Sequence, residues 1–99
     1  MAGTTQTPTR ARRTGGSGGG LDQQWLVIVL NDAHNTFDGV AFALAAVLPG
    51  VTFDRGMAFA NRIHSSGRAT VWTGHRELAE LYWSQLQDHG LTMAPLERQ

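Results

Sequence analysis

The stretch LNDAHNTFDGV, Leu30 to Val40, decides how this chain is read. An apolar run, QWLVIVL over Gln24–Leu30, leads into it, and VAFALAAVL over Val40–Leu48 leads out. The first run is short, continuously apolar and β-rich, which predicts a buried strand. In the second, Phe37, Val40, Ala41, Leu44, Val47 and Leu48 recur at helical spacing and form one face. Thr36 stands where a helix N-cap belongs. Between strand and helix lie Asn31, Asp32, His34, Asn35 and Thr36. A strand-to-helix turn needs one or two such hydrogen-bonding side chains, so this turn carries a surplus.

Pro49-Gly50 ends the first helix. Thr52 caps a second, from Phe53 to about Ser65, with Phe53, Met57, Ala60, Ile63 and His64 on one face. Ser66-Gly67 stops it. RATVWT over Arg68–Thr73 alternates like a half-buried strand. A third helix, about His75–Asp88, places Leu78, Leu81, Tyr82 and Leu86 at helical spacing and ends at His89-Gly90. Leu91–Leu96 reads as a last short strand, with Pro95 marking an edge position. The order is β-α-α-β-α-β, and the simplest arrangement is an α+β sandwich: a small antiparallel three-stranded sheet covered by three helices.

Composition breaks near residue 20. Residues 1–20, MAGTTQTPTRARRTGGSGGG, hold little to bury and are expected to form a disordered, Gly-rich extension. The folded domain is then residues 21–99, near the lower limit for a self-sufficient core. The formal net charge is zero, which argues against nucleic acid or an acidic membrane surface recognised through bulk charge. All eight basic residues are Arg, and there is no Cys, so thiolate chemistry, disulfides and Cys-ligated metals are excluded. No apolar run reaches the roughly 18–20 residues that span a bilayer, and the N-terminus lacks the apolar segment of a secretory signal. A cytoplasmic monomer is expected.

The surplus of polar residues in the turn has two readings. Asn and Asp bond their own backbone and cap helices, which accounts for Asn35 and Thr36 without any ligand. His64 favours the second reading. Two helices joined by a short Pro-Gly loop run antiparallel, so the end of the second returns to the start of the first. Asn31, Asp32 and His64 can then converge beside Phe37, Val40, Ala60 and Ile63. An apolar slot with an acidic, acceptor-rich rim suits a cation that carries a hydrophobic group, such as a free α-amino group with a bulky first side chain.

Several segments carry a resemblance. LND at 30–32, NTF at 35–37 followed by Val40, IHSSGRA at 63–69, VWTG at 71–74, ELAE at 77–80 and GLTMAPLE at 90–97 together resemble the ClpS family of Clp protease adaptors. The ordered set spans nearly the whole expected domain. The resemblance implies the same β-α-α-β-α-β fold, and a protein that recognises N-degrons and delivers them to a ClpA- or ClpC-type AAA+ unfoldase. It implies that Asn31, Asp32 and His64 bind the substrate's α-amino group. It implies a hydrophobic pocket of Phe37, Val40, Ala60, Ile63 and Thr92, with Asn35 and Thr36 on its turn and rim, and a contact from Glu77 to the unfoldase. An ammonium has three donors and no acceptor, so three acceptors satisfy it. The chain departs from the family pattern at Ala33, where an acidic residue is common, at Phe37 and Ala60, where Met is common, and at Tyr82, where a basic residue is expected.

Other classes of function fare worse on the same residues. His34, His64, His75 and His89 have no compact metal-ligand spacing, so no metal or cofactor is expected. No nucleophile turn accompanies Asp32 and His64, which argues against a hydrolase. The remaining alternative is a non-catalytic interaction module of the same fold with no specificity for an N-terminal amine. In that case Trp25, Trp72 and Trp83 become informative. Trp25 and Trp72 are expected in the core, and Trp83 on the flank of the third helix, where it is the Trp best placed to be exposed.

Overall fold

The computed structural model describes residues 24–99. The expected extension, residues 1–20, and the first residues of the expected domain lie outside them. The elements are β1 (Trp25–Leu30), α1 (Phe37–Val47), α2 (Phe53–Ser66), β2 (Arg68–Gly74), α3 (Arg76–Asp88) and β3 (Glu97–Arg98). The strands form one antiparallel sheet in the order β2-β1-β3. The α+β reading and its element order therefore hold.

β1 is central because it is apolar along its whole length: Val27, Ile28 and Val29 are all buried. β2 alternates, with Ala69 and Val71 inward and Arg68 and Thr70 outward, as expected of a strand with one solvated face. Both helices that follow β1 start where their sequence says. Thr36 Oγ1 accepts from the Gly39 N–H at 2.9 Å, and Thr52 Oγ1 from the Arg55 N–H at 3.1 Å. The α1–α2 hairpin is tight at one point. A Cβ on Gly56 would lie 2.6 Å from the Ala41 carbonyl oxygen and 2.8 Å from its Cα, so only glycine lets the two backbones approach this closely.

Two parts of the structure differ from expectation. On α3, Leu78 and Leu81 are 43% and 47% exposed, whereas Ala79 and Leu86 are buried and Tyr82 is half-buried. The helix turns its smaller residue, Ala79, to the core. Trp72 fills the space alongside, packing edge-on against Tyr82 with ring centroids 4.9 Å apart. Trp83 is not a free surface residue: it is half-buried, and its indole N–H donates to the Ala94 carbonyl at 2.7 Å. Trp25 and Trp72 are partly buried and pack on the core from its margin.

The last strand is also displaced. Leu91–Leu96 does not form a continuous strand; Met93 makes a single bridge to Val29, and regular pairing resumes only at Glu97 and Arg98, opposite Leu26 and Trp25. Between these points the C-terminal segment holds one residue more than β1. Pro95 lies in that bulge, where its missing N–H costs nothing. The main chain on either side still bonds β1, with the Leu30 N–H reaching the Thr92 carbonyl at 2.8 Å and the Ala94 N–H reaching the Ile28 carbonyl at 3.1 Å.

Candidate functional site

A pocket of about 210 Å³ opens where β1 ends, between the first turn of α1 and the last turns of α2. Pockets for drug-sized ligands measure about 300–1,000 Å³, so this smaller one is space for one side chain. Its walls are Val29, Leu30, Phe37, Val40, Ala60, Ile63 and Leu91, and Asn31, Asp32, Asn35 and His64 supply its polar atoms. Val40, Ala60 and Ile63 are buried behind it. The antiparallel hairpin does bring the end of α2 back to the polar turn: the Phe37 and His64 rings pack at 5.1 Å between centroids, tilted by 60°.

Gly67 fixes the junction. It ends α2 in the left-handed region, at φ 86°, and its carbonyl accepts the Asn31 N–H at 2.9 Å. The residue after β1 is thus tied to the turn just beyond His64. Asn31 and His64 are both solvent-accessible, and each retains acceptor capacity for a ligand.

Asp32 behaves differently. Its Oδ1 accepts from the backbone N–H groups of His34 (2.8 Å) and Asn35 (2.7 Å). Its Oδ2 accepts from the Asn35 side-chain amide and the Thr92 hydroxyl, both at 2.7 Å. A carboxylate offers about four acceptor sites, and here all are used. The Asn35 N–H does most to hold this carboxyl well below the ordinary carboxylate range; burial opposes it, and the Thr92 hydroxyl, the Asn35 amide and the His34 N–H reinforce it. Because the folded value lies below that of an unfolded Asp, about 3.9, the ionised carboxylate stabilises the fold at every pH above that value. The contribution is lost as pH falls through the folded value. Asp32→Asn should therefore lower stability in urea at about pH 7, and the gap from the unsubstituted chain should narrow below about pH 4. A gap that stays constant from neutral pH to about pH 3 would show that the ionised form is not what holds the turn.

Three of the expected site residues are not among those lining the pocket. Thr92 is not part of the pocket wall; the neighbouring Leu91 is, and the Thr92 side chain turns to Asp32. Thr36 caps α1 and does not line the pocket. Glu77 lies in the first turn of α3, exposed and outside the pocket. Val29, Leu30 and Leu91 were missed as wall residues. Only the ordinary pleat of β1 and the apolar character of Leu91 signalled them. Among the described residues there is no group of three or more His, Cys, Asp or Glu arranged to hold a metal ion, and no helix long and apolar enough to cross a membrane.

The family model of the ATP-dependent Clp protease adaptor protein ClpS matches residues 21–96. The chain belongs to the ClpS family. A ClpS adapter from Synechocystis sp. is 53% identical over 72 residues, which cover 73% of this chain and 74% of that protein. One from Nostoc sp. is 46% identical over 93 residues, covering 94% and 93% of the two chains. The family is one of adaptors of the Clp protease rather than of proteases. In solved structures the ClpS fold recurs in Agrobacterium tumefaciens ClpS2 bound to L-phenylalaninamide, with a TM-score of 0.72 and 25% identity. That alignment covers 78% of this chain and 98% of ClpS2.

Proposed function

We propose that this ClpS chain binds the free α-amino group and the bulky hydrophobic first residue of N-degron substrates, and delivers them to a ClpA- or ClpC-type AAA+ unfoldase. The observation that carries this reading is the join of two chemistries in one pocket: apolar walls from Phe37, Val40, Ala60 and Ile63 under a rim holding Asn31, Asp32 and His64. The relative bound to L-phenylalaninamide supports it, since that ligand combines a free amine with an aromatic side chain. Asn31 accepts from the ammonium through its amide oxygen and His64 through a neutral ring nitrogen. Asp32, with its acceptor sites already engaged, contributes charge rather than a direct bond. The exposed Glu77 serves as an unfoldase contact on α3, away from the pocket. The adaptor acts as a cytoplasmic monomer and needs no cofactor.

Binding of peptides identical except for residue one tests the first half. Phe-, Leu-, Tyr- and Trp-starting peptides should bind, and Gly-, Asp- and Lys-starting ones should not. Equal binding of all of them would indicate an interaction module without N-terminal specificity. Degradation of a reporter with a Phe or Leu N-terminus by a Clp protease, with and without this chain, tests delivery.

The pocket wall also predicts breadth. Alanine at position 60 leaves space that a longer side chain would take, so Ile and Val, stiff at χ1, should enter as well as Leu. Ala60→Met should cut affinity for Ile- and Val-starting peptides about tenfold relative to Leu, since a methylene or two of fit is worth about 1–3 kcal/mol. If the unsubstituted chain already rejects Ile and Val as strongly, Phe37 sets the limit and Ala60 does not.

A further inference from the structure

Asp32 carries the only negative charge among the residues lining the pocket, and part of what holds it in place comes from the far end of the chain. The bonds to Oδ1 are local, donated by the backbone two and three residues on. Those to Oδ2 are side-chain bonds, and they reach the C-terminal segment. The Thr92 hydroxyl donates to it directly. The Asn35 amide donates both to it and, at 3.0 Å, to the Gly90 carbonyl. Thr92 is itself fixed, because its carbonyl accepts the Leu30 N–H one residue before Asn31. The ion pairs among the described residues are Arg68–Glu97 and Arg76–Glu80, and neither includes Asp32. A Lys or Arg could hold this carboxylate equally well but would cancel its charge. A hydroxyl and an amide hold it and leave the charge in force at the pocket mouth.

We propose that Thr92 is a positioning residue of the amine site: its hydroxyl links the C-terminal segment to the Asp32 carboxylate and so fixes the negative charge that faces a bound ammonium. This rests on the amine-binding reading above. It assigns Thr92 to the polar half of the site and leaves the apolar wall to Leu91. The two assignments predict opposite results for an isosteric change. Valine has threonine's shape without the hydroxyl. On an apolar wall it would hold affinity or raise it, and it would do so unequally for different first residues. In a hydroxyl clamp it weakens every amine ligand by the same factor.

Titration of L-phenylalaninamide and L-leucinamide into the unsubstituted chain and into Thr92→Val, Thr92→Ala and Thr92→Ser distinguishes them. Thr92→Val and Thr92→Ala should each bind both amides about three- to tenfold more weakly, the scale of one ordinary hydrogen bond, because the lost bond acts on the ligand only through Asp32. The ratio between the two amides should not change with Val, and Thr92→Ser should bind like threonine. Unchanged or tighter binding by Thr92→Val, a shifted ratio between the amides, or failure of serine to restore affinity overturns the clamp while leaving the amine reading intact. An unsubstituted chain that binds neither amide overturns both.

Discussion

A Phe-starting peptide should lose about a hundredfold or more in affinity when its amino group is acetylated, because two charge-assisted hydrogen bonds, each worth about 1.5–3 kcal/mol, disappear together. Acetylation removes the positive charge and leaves one N–H in place of three donors. Asn31 and His64 on the rim cannot both be satisfied by that single N–H. The added carbonyl also brings an acceptor against acceptors, beside a carboxylate that takes part in no ion pair among the described residues. The apolar side chain is unchanged, so whatever affinity survives measures the pocket walls alone. Matched titrations of free and acetylated peptide decide the matter. A difference of less than about threefold would mean that the amino group is not what the site recognises.

The second large effect concerns the scaffold. Gly56→Ala should lower the melting temperature by about 5–15 °C, even though alanine is the better helix former by about 1 kcal/mol. The new methyl would meet the main chain of Ala41 at 2.6–3.0 Å, and backbone cannot turn aside as a side chain can. The helices have to separate, which costs about 1–3 kcal/mol or more for overpacking of this kind. The pocket shares that cost, because Phe37 and Val40 belong to one helix and Ala60, Ile63 and His64 to the other. Peptide affinity should therefore fall with stability. A variant that melts with the unsubstituted chain would show that the hairpin has slack at this crossing.

Most of this architecture was legible because its signals are local. Thr36, Thr52 and Gly67 mark helix ends through their own side chains or their lack of one, and the structure uses each in that role. The convergence of Asn31, Asp32 and His64 followed from a short loop between two helices, a matter of chain geometry more than of side-chain detail. What escaped depended on partners distant in sequence. Leu78 and Leu81 are as apolar as Leu86, and nothing in their spacing says that Ala79 faces the core instead. The final ladder forms at Glu97 and Arg98 because backbone pairing needs no apolar side chain, whereas the apolar run before them is bent by Pro95. The family resemblance puts Thr92 on the apolar wall; its hydroxyl finds a carboxylate 60 residues away.

That separation has a kinetic side. The local bonds to Oδ1 can form as soon as the turn does, within a few residues of chain. The bonds that complete the carboxylate's surroundings span 55 and 60 residues, so they wait for the C-terminal segment to close against β1. Contacts of such long range carry the largest loop-closure entropy and form late in folding. A chain still emerging from synthesis, or one opened at its C-terminal edge, can hold the whole helical hairpin and yet leave the Asp32 carboxylate without its Thr92 partner. On the amine-binding reading proposed above, ligand affinity is then in part a readout of complete folding: a chain without the Thr92 bond should bind about three- to tenfold more weakly than the finished fold.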